Sequence, residues 1–280
     1  MMAPANSEDL LDDIMDAAQD EFEQERHAII WSFLVIVVSE IGDKTFFIAA
    51  IMAMKNPRLL IFSSAMCALG IMTVLSALLG HTLPTLFSKQ YTQMLAALLF
   101  IIFGLKMLKE AYTMTGKEGL EELEEVSKEI EEKEMEKTAS HMEKGIPSGS
   151  TANGLAHDVP PTPIIAWEKL QEFRIGLSNL VNWILTPVFV ETFVLTFLAE
   201  WGDRSQIATI ALASAENFWW VTIGTLVGHS ICSAMAVIGG RMLATRISVK
   251  TVTLLGGVLF LVFGFVSSYE AWDIGAVIAL

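Results

Sequence analysis

The chain has 280 residues, of which 53% are hydrophobic, and it carries a formal net charge of −14 at pH 7. This apolar content exceeds that of ordinary soluble domains, and it is concentrated in windows of about 20 residues, the length that crosses a bilayer. No basic patch suggests nucleic acid as a partner. The composition therefore predicts an integral membrane protein in contact with lipid.

Residues 1–28 form an acidic segment in front of the first apolar window. Residues 1–27 contain nine acids and one base, with neither the basic start nor the apolar core of a signal peptide. We interpret the segment as a solvated, partly disordered tail. Either the natural precursor carried a cleaved leader, or the first span inserts with its N-terminal end leading, and the sequence leaves both open.

Six apolar windows follow, and each predicts a transmembrane helix. They cover residues 29–54, 59–80, 94–108, 187–212, 218–240 and 251–268. The first three windows belong to residues 29–112 and the last three to residues 187–272, with residues 273–280 as a C-terminal tail. The predicted fold class is therefore all-α integral membrane, with six transmembrane helices.

Residues 113–186 form an acidic loop between the two sets of windows. Residues 117–137 favour a helix with Leu120, Leu123, Val126 and Ile130 on one face, which predicts a short cytosolic helix continuing from the third span. A partner-binding helix is the alternative. Residues 141–163, rich in Gly, Ser and Pro, predict a flexible linker, and residues 170–184 predict an interfacial helix.

The two halves of the chain align without a gap when residue i is matched with residue i + 160. Glu40, Gly42 and Asp43 fall on Glu200, Gly202 and Asp203, and Phe103-Gly104 falls on Phe263-Gly264. Three spans per repeat is an odd number, so the second repeat enters the membrane from the opposite side. This predicts two inverted three-helix repeats with a site at their interface.

Basic residues near the predicted span ends lie mostly on one side of the membrane. That side holds Lys55, Arg58, Lys106, Lys109, Lys117, Arg174, Arg241, Arg246 and Lys250. The positive-inside rule therefore places the acidic loop in the cytosol and both termini outside or in a lumen.

The duplicated motif reads Glu40-Ile41-Gly42-Asp43-Lys44-Thr45 and Glu200-Trp201-Gly202-Asp203-Arg204-Ser205. Acids at positions i and i+3 share one helix face, so four carboxylates meet if the repeats meet. Such a group must bind a cation, take up protons or pair with the neighbouring bases. Exchange among these three states amounts to an antiport cycle, and the acids are our predicted metal ligands.

Other residues of the motif are expected to line the site. Thr45, Ser205 and Gln206 offer oxygen donors that suit calcium, manganese or magnesium. On an unbroken helix Thr45 and Ser205 would point away from the acids, so they join the site only if the helix unwinds. The sequence offers no means of choosing among the three ions.

The glycines, the bases and one histidine complete the expectations for the site. Gly42 and Gly202 permit such unwinding or a close backbone approach. Lys44 and Arg204 are expected to act as internal counter-ions of the acids. We interpret His229 as a core histidine with satisfied hydrogen bonds, and a proton relay is the alternative.

The duplicated motif resembles that of the second calcium/cation antiporter family, which is recognised by two copies of E-φ-G-D-[KR]-[TS]. Both copies match at every position, the resemblance covers all six spans, and AEWGDRSQIATIALA is similar to fungal Golgi members. The resemblance implies exchange of calcium or manganese for protons, with Golgi localisation. It also implies that Glu40, Asp43, Glu200 and Asp203 bind the ion. The leader of many eukaryotic members is absent from the sequence.

We therefore predict a secondary antiporter that moves divalent cations from the cytosol into the Golgi lumen in exchange for protons. A divalent-cation channel and a non-transporting adaptor acting through the acidic loop are the alternatives. No enzyme is expected, because the sequence shows no nucleophile with a base, phosphate loop or open zinc site. No cofactor is expected, and self-association into a homo-oligomer is left open.

Overall fold

The computed structural model describes residues 7–115, 118–143, 183–184, 186–244 and 248–278. Within these ranges the chain is helical and contains no strand, in agreement with the predicted all-α class. The helices are α1 (Ser7–Glu40), α2 (Lys44–Lys55), α3 (Arg58–Leu86), α4 (Lys89–Thr113), α5 (Glu118–Glu143), α6 (Pro187–Ala199), α7 (Arg204–Ala215), α8 (Phe218–Ala244) and α9 (Val249–Ile278). Helix α8 is kinked at Gly240, where the backbone is not helical. The predicted interfacial helix and most of the linker lie outside the described residues.

Four helices of the described chain are long and apolar enough to cross a membrane. They contain Arg58–Leu86, Gln90–Thr113, Phe218–Gly240 and Val249–Trp272. Large apolar side chains are exposed along their outer faces, as at Ile71, Val74, Leu75 and Leu78 of α3. Because these positions repeat at three- and four-residue spacing, they form one stripe on the helix that suits contact with lipid.

The two other predicted spans are each divided into two helices at the duplicated motif. The first predicted span consists of the C-terminal part of α1 followed by α2, and the fourth consists of α6 followed by α7. Gly42 has φ of 83° and Gly202 has φ of 82°, a left-handed conformation that glycine adopts without steric cost. The helix unwinding that Thr45 and Ser205 need in order to reach the acids is therefore present in both halves.

The helix boundaries repeat with the same offset as the sequence. In the first half α2, α3 and α4 begin at residues 44, 58 and 89. In the second half α7, α8 and α9 begin at residues 204, 218 and 249, so each start keeps the i to i + 160 relation (204 − 44, 218 − 58 and 249 − 89). The shared motif and spacing thus produce the same order of short and long helices twice.

The two halves pack through one another instead of forming separate bundles. Helix α1 packs along α8 of the other half, α6 along α3, and α4 along α9. At one such contact the Ser64 hydroxyl donates to the carbonyl of Phe189 at 2.6 Å. The equivalent contact between α8 and α1 joins Gly224 and Ile29. The two backbones lie so close there that a Cβ placed on Gly224 would be 2.6 Å from the carbonyl oxygen of Ile29.

Aromatic contacts between α4 and α9 are also reciprocal. Phe100 contacts its own counterpart Phe260, with ring centroids 5.6 Å apart. Phe100 contacts Phe263 at 4.6 Å, and Phe103 and Phe260, which hold the exchanged positions, lie 6.5 Å apart. A residue that touches its own equivalent lies near the centre of the contact between two similar halves.

The N-terminal acidic segment is helical where the structure describes it, so the partial disorder expected of this tail is not seen in residues 7–27. Helix α1 runs without a break from Ser7 to Glu40, across the predicted boundary at residue 28. This stretch contains neither proline nor glycine, so nothing in it interrupts the helix that the apolar part begins.

Helix α5 covers α2 on one side of the molecule. Leu123, Val126 and Ile130 are buried in a cluster with residues 46–53 of α2, whereas Leu120 is exposed. The helix does not continue from the preceding one, because Met114 and Thr115 are not helical. It is also longer than predicted and ends at Glu143. The predicted apolar face is thus an internal packing surface.

Candidate functional site

The broken helices place the two motifs at the centre of the protein. Glu40 is the last residue of α1, and Glu200 directly follows α6. Their side chains are buried, with exposed fractions of 3% and 2%. After a short turn through the glycine, α2 and α7 begin beside the same two acids.

Three of the four predicted ligands lie together. Within the described residues, one carboxylate oxygen each from Glu40, Glu200 and Asp203 lies within 4.8 Å of the other two. Two full charges at that distance repel by about 3 kcal/mol at the effective dielectric constant of a protein interior. The three carboxylates are therefore stable together only with a bound cation or with protons.

Several oxygens of this cluster have no hydrogen-bond partner among the described residues. They are Glu40 Oε1 and both Glu200 Oε1 and Oε2. Buried carboxylate oxygens are almost always paired in folded proteins, because an unpaired one costs the free energy of its lost hydration. These unpaired oxygens make the cluster a candidate binding site for a positively charged ligand.

The fourth acid, Asp43, stands apart from the other three. Its side chain is about one-third exposed and lies 3.9 Å (Oδ1) from Arg204 Nη2. It precedes α2 but makes no side-chain capping hydrogen bond. The sequence predicts that all four carboxylates meet. In this conformation three of them lie together, and Asp43 faces Arg204.

Asp203 caps the N-terminus of α7. Its carboxylate accepts the backbone N–H groups of Ser205 at 2.9 Å and of Gln206 at 2.8 Å. The Ser205 hydroxyl also donates to it, at 3.2 Å. The positive end of the α7 dipole thereby offsets part of the negative charge of the cluster.

The hydroxyl residues Thr45 and Ser205 lie beside the acids, because each broken span is unwound at its glycine. Thr45 and Ser205 are both buried; Ser205 interacts with Glu40, and Thr45 lies beside Glu200. Each motif thus places a hydroxyl residue beside the glutamate of the other motif. Gln206 instead accepts the Gly202 N–H at 2.7 Å, so its side chain supports the turn.

The two bases differ, and the expectation that both are counter-ions of the acids is wrong for Lys44. Arg204 faces Asp43 and donates to the Ser39 carbonyl at 3.1 Å. Lys44 Nζ instead pairs with Glu129 Oε2 of α5 at 2.8 Å. Glu129 belongs to α5, the acidic helix that packs on α2, and it pairs with Lys44 at the N-terminal end of α2. The sequence alone does not predict where α5 packs.

The surroundings of His229 differ from those of the core histidine that its position in the sequence favours. This buried residue of α8 has its Nδ1 atom 3.8 Å from Glu40 Oε1. Among the described residues Nδ1 has no hydrogen-bond partner, so the interpretation as a fully satisfied core histidine does not hold. The available signal was that His229 is the one imidazole in the middle of a predicted span.

The chemistry of this arrangement is that of a site for hard cations and protons. Carboxylate and hydroxyl oxygens from both halves surround it, with few positive groups to balance them. Such oxygen donors bind calcium, magnesium or manganese. Protonation of the same carboxylates removes both their charge and their affinity for metal.

Comparison with known proteins agrees with this geometry. A family model described as divalent cation/proton antiporter GDT1 matches residues 28–115 and 188–275. The second match begins and ends at the first match's residue numbers plus 160 (188 − 28 and 275 − 115), the same relation that joins the two halves of the sequence. No solved structure matches the chain.

Individual relatives extend over most of the chain. The divalent cation/proton antiporter GDT1 of Saccharomyces cerevisiae is 40% identical over 252 residues, which cover 88% of this chain and 84% of the yeast protein. GDT1-like protein 3 of Arabidopsis thaliana is 44% identical, covering 86% of this chain and 70% of that protein. GDT1-like protein sll0615 of Synechocystis is 41% identical, covering 84% and 93%. The chain therefore belongs to the GDT1 family of divalent cation/proton antiporters, which are membrane transporters and not enzymes.

Proposed function

We propose that this protein exchanges calcium or manganese for protons and moves the cation from the cytosol into the Golgi lumen. Glu40, Glu200 and Asp203 bind the cation, and Asp43 joins them during the cycle. The observation that carries the proposal is the buried cluster of three carboxylates, with unpaired oxygens, contributed by both motifs.

The proposed architecture is six spans in two inverted repeats, with two of the spans broken at the site. The equal offset of sequence and helix boundaries supports two equivalent halves. The reciprocal contacts of Phe100 and Phe260 support a twofold relation between them. Broken helices whose N-terminal ends meet near the bilayer midplane are a common way of binding ions in transporters with this symmetry.

The exchange follows from charge balance in a buried site. A divalent cation that enters from one side binds the three carboxyl groups as they release the protons that had neutralised them. When access changes to the other side, protons return to the oxygens and the cation leaves. Neither the ionised site without metal nor the protonated site with metal is stable in low dielectric, so the two fluxes are coupled.

The proposed orientation has α5 in the cytosol and both termini in the lumen. It follows from the positive charges beside the predicted span ends. Because α5 packs on α2, this side is the covered one in the present conformation. The same packing argues against the adaptor alternative, since the apolar face that a partner would use is already buried.

Reconstituted vesicles test the proposal directly. An imposed pH gradient should drive uphill uptake of calcium or manganese, reported by a fluorescent ion indicator inside and a pH dye outside. Glu40→Gln and Glu200→Gln should each abolish the coupled fluxes, because each removes a charged oxygen ligand. Glu124→Gln, at an exposed position of α5, is the matched control and should transport normally.

Two results would contradict the proposal in different ways. Cation flux that only dissipates its own gradient, without moving protons, would show a channel. Undiminished exchange in both glutamine variants would show that the cation binds elsewhere.

A further inference from the structure

His229 is the one imidazole beside the three-carboxylate cluster among the described residues. It lies on α8, is 4% exposed, and places Nδ1 3.8 Å from Glu40 Oε1. Both of these atoms lack a hydrogen-bond partner within the described chain. Two buried, unpartnered polar atoms that face each other at this distance leave a position for a third group.

The distance of 3.8 Å between Nδ1 and Oε1 suits two ligands of one metal ion. Donor atoms bind such ions at about 2.0–2.6 Å, so two of them on one ion are at most about 5 Å apart. His229 lies on the Glu40 side of the cluster, outside the group of three carboxylates that are mutually within 4.8 Å. Glu40 belongs to both groups, because it faces the imidazole of His229 and also lies within the cluster with Glu200 and Asp203.

The first half of the chain lacks this feature. The position equivalent to His229 is residue 69 (229 − 160), a buried leucine on α3. The carboxylates come from both halves, but the imidazole comes from only one. Its presence is therefore not required by the repeat and calls for a role specific to this position.

We propose that His229 is a ligand of the transported ion and makes the site select manganese, or a similar transition-metal ion, over calcium. Calcium takes oxygen ligands, whereas Mn²⁺, which also prefers oxygen donors, accepts an imidazole nitrogen beside carboxylate oxygens as other first-row transition-metal ions do. This inference rests on the proposed function, because it assigns a ligand and a preference to the same site.

Electron spin-echo spectroscopy of bound Mn²⁺ tests the coordination without any transport measurement. In the tag-free full-length protein in detergent, the spectrum should show modulation from one coordinated imidazole nitrogen. His229→Gln should remove this modulation. His81→Gln is the matched control, since His81 is exposed at the end of α3, and it should keep it.

Transport in vesicles tests the selectivity. His229→Gln replaces the nitrogen by an amide oxygen, so the half-saturating concentration of Mn²⁺ should rise about tenfold, within the range typical of perturbed metal sites. That of Ca²⁺ should change by less than about threefold, because an oxygen ligand remains available to it. The ratio of the two constants is the diagnostic quantity, because a merely structural defect would weaken both ions alike.

The outcomes separate this inference from the proposed function. Absence of nitrogen modulation in the wild-type protein, or an equal loss of both ions in His229→Gln, would overturn the role of His229 while Glu40→Gln still abolishes exchange. Exchange that survives Glu40→Gln would instead overturn the proposed site itself. The wild-type spectrum decides the coordination even if the histidine variant does not fold.

Discussion

The two copies of the motif have nearly the same sequence but lie in different surroundings. The first is enclosed: Gly42 packs against Val249, and Lys44 is tied to Glu129 of α5. The second is open: no atom would lie within 4 Å of a Cβ on Gly202, and Trp201 is 62% exposed. Two motifs of similar sequence thus differ in their surroundings, since the first is covered by other helices and the second is exposed.

The helices that follow the two motifs show the same difference. Phe47 and Ile51 of α2 are buried in the cluster with α5. Their counterparts Ile207 and Ala211 of α7 line an apolar cleft of about 160 Å³. The helices that follow the two motifs therefore lie in different surroundings, α2 covered by α5 and α7 beside an apolar cleft.

The largest difference is expected between the two aspartates. Asp203→Asn removes a charge from the three-carboxylate cluster, so cation-driven proton flux in vesicles should fall by at least about 100-fold. Asp43→Asn removes a charge that faces Arg204, and we expect a loss of about tenfold. Equal losses would mean that the two aspartates contribute alike through the cycle.

The two glycines should differ in stability. Alanine at either position pays about 1–2 kcal/mol for a left-handed backbone, but Gly42→Ala also brings its Cβ to 3.1 Å from Val249 Cγ2. We expect Gly42→Ala to lower the melting temperature in detergent several degrees more than Gly202→Ala. Adding Val249→Ala to Gly42→Ala should remove most of the difference in melting temperature. If it does not, the contact with Val249 is not the cause of the lower stability.

A smaller effect is expected from helix capping, because the Asp203 side chain caps α7 whereas the Asp43 side chain does not cap α2. Asp203→Ala removes a side chain that accepts two backbone N–H groups and should cost about 1 kcal/mol of unfolding free energy. Asp43→Ala, with no side-chain cap to lose, should cost clearly less. Denaturation of the two variants in the same detergent measures this, and a larger loss for Asp43→Ala would contradict the assigned caps.

The smallest effect is expected at the pair of Lys44 and Glu129. Both side chains are roughly 40% exposed, and pairs of this kind contribute about 0.2–1 kcal/mol. Hydrogen exchange of α5 should quicken modestly in Glu129→Gln, because both Lys44 and Lys133 lose their charged partner. Unchanged exchange in Glu129→Gln would show that the apolar contacts alone hold α5.

The same pair gives a pH dependence. Hydrogen bonds from Lys44 and Lys133 lower the pKa of Glu129 below its ordinary value of 4.5. A depressed pKa adds stability that is complete above the ordinary value and is lost as the pH falls through the lowered one. Protection of α5 should therefore decline in acid below about pH 4.5 and be less pH-dependent in Glu129→Gln.

Much of the site could be predicted because it depends on local properties. Glutamate and aspartate three residues apart, with glycine between them, predict both the candidate ligands and the place where each helix opens. Lys44 and His229 could not be predicted in the same way. The partner of each comes from an element distant in sequence, α5 for Lys44 and α1 for His229, and periodicity does not tell which elements meet.

The sequence by itself determined a helical membrane protein with two equivalent halves, because apolar length and repeated motifs are properties of the chain alone. The tertiary structure decided that the halves interleave, that Asp43 stands apart from the other acids and that α5 covers only one motif. These features depend on packing between distant segments, where small differences in shape select one arrangement from several that the same pattern permits.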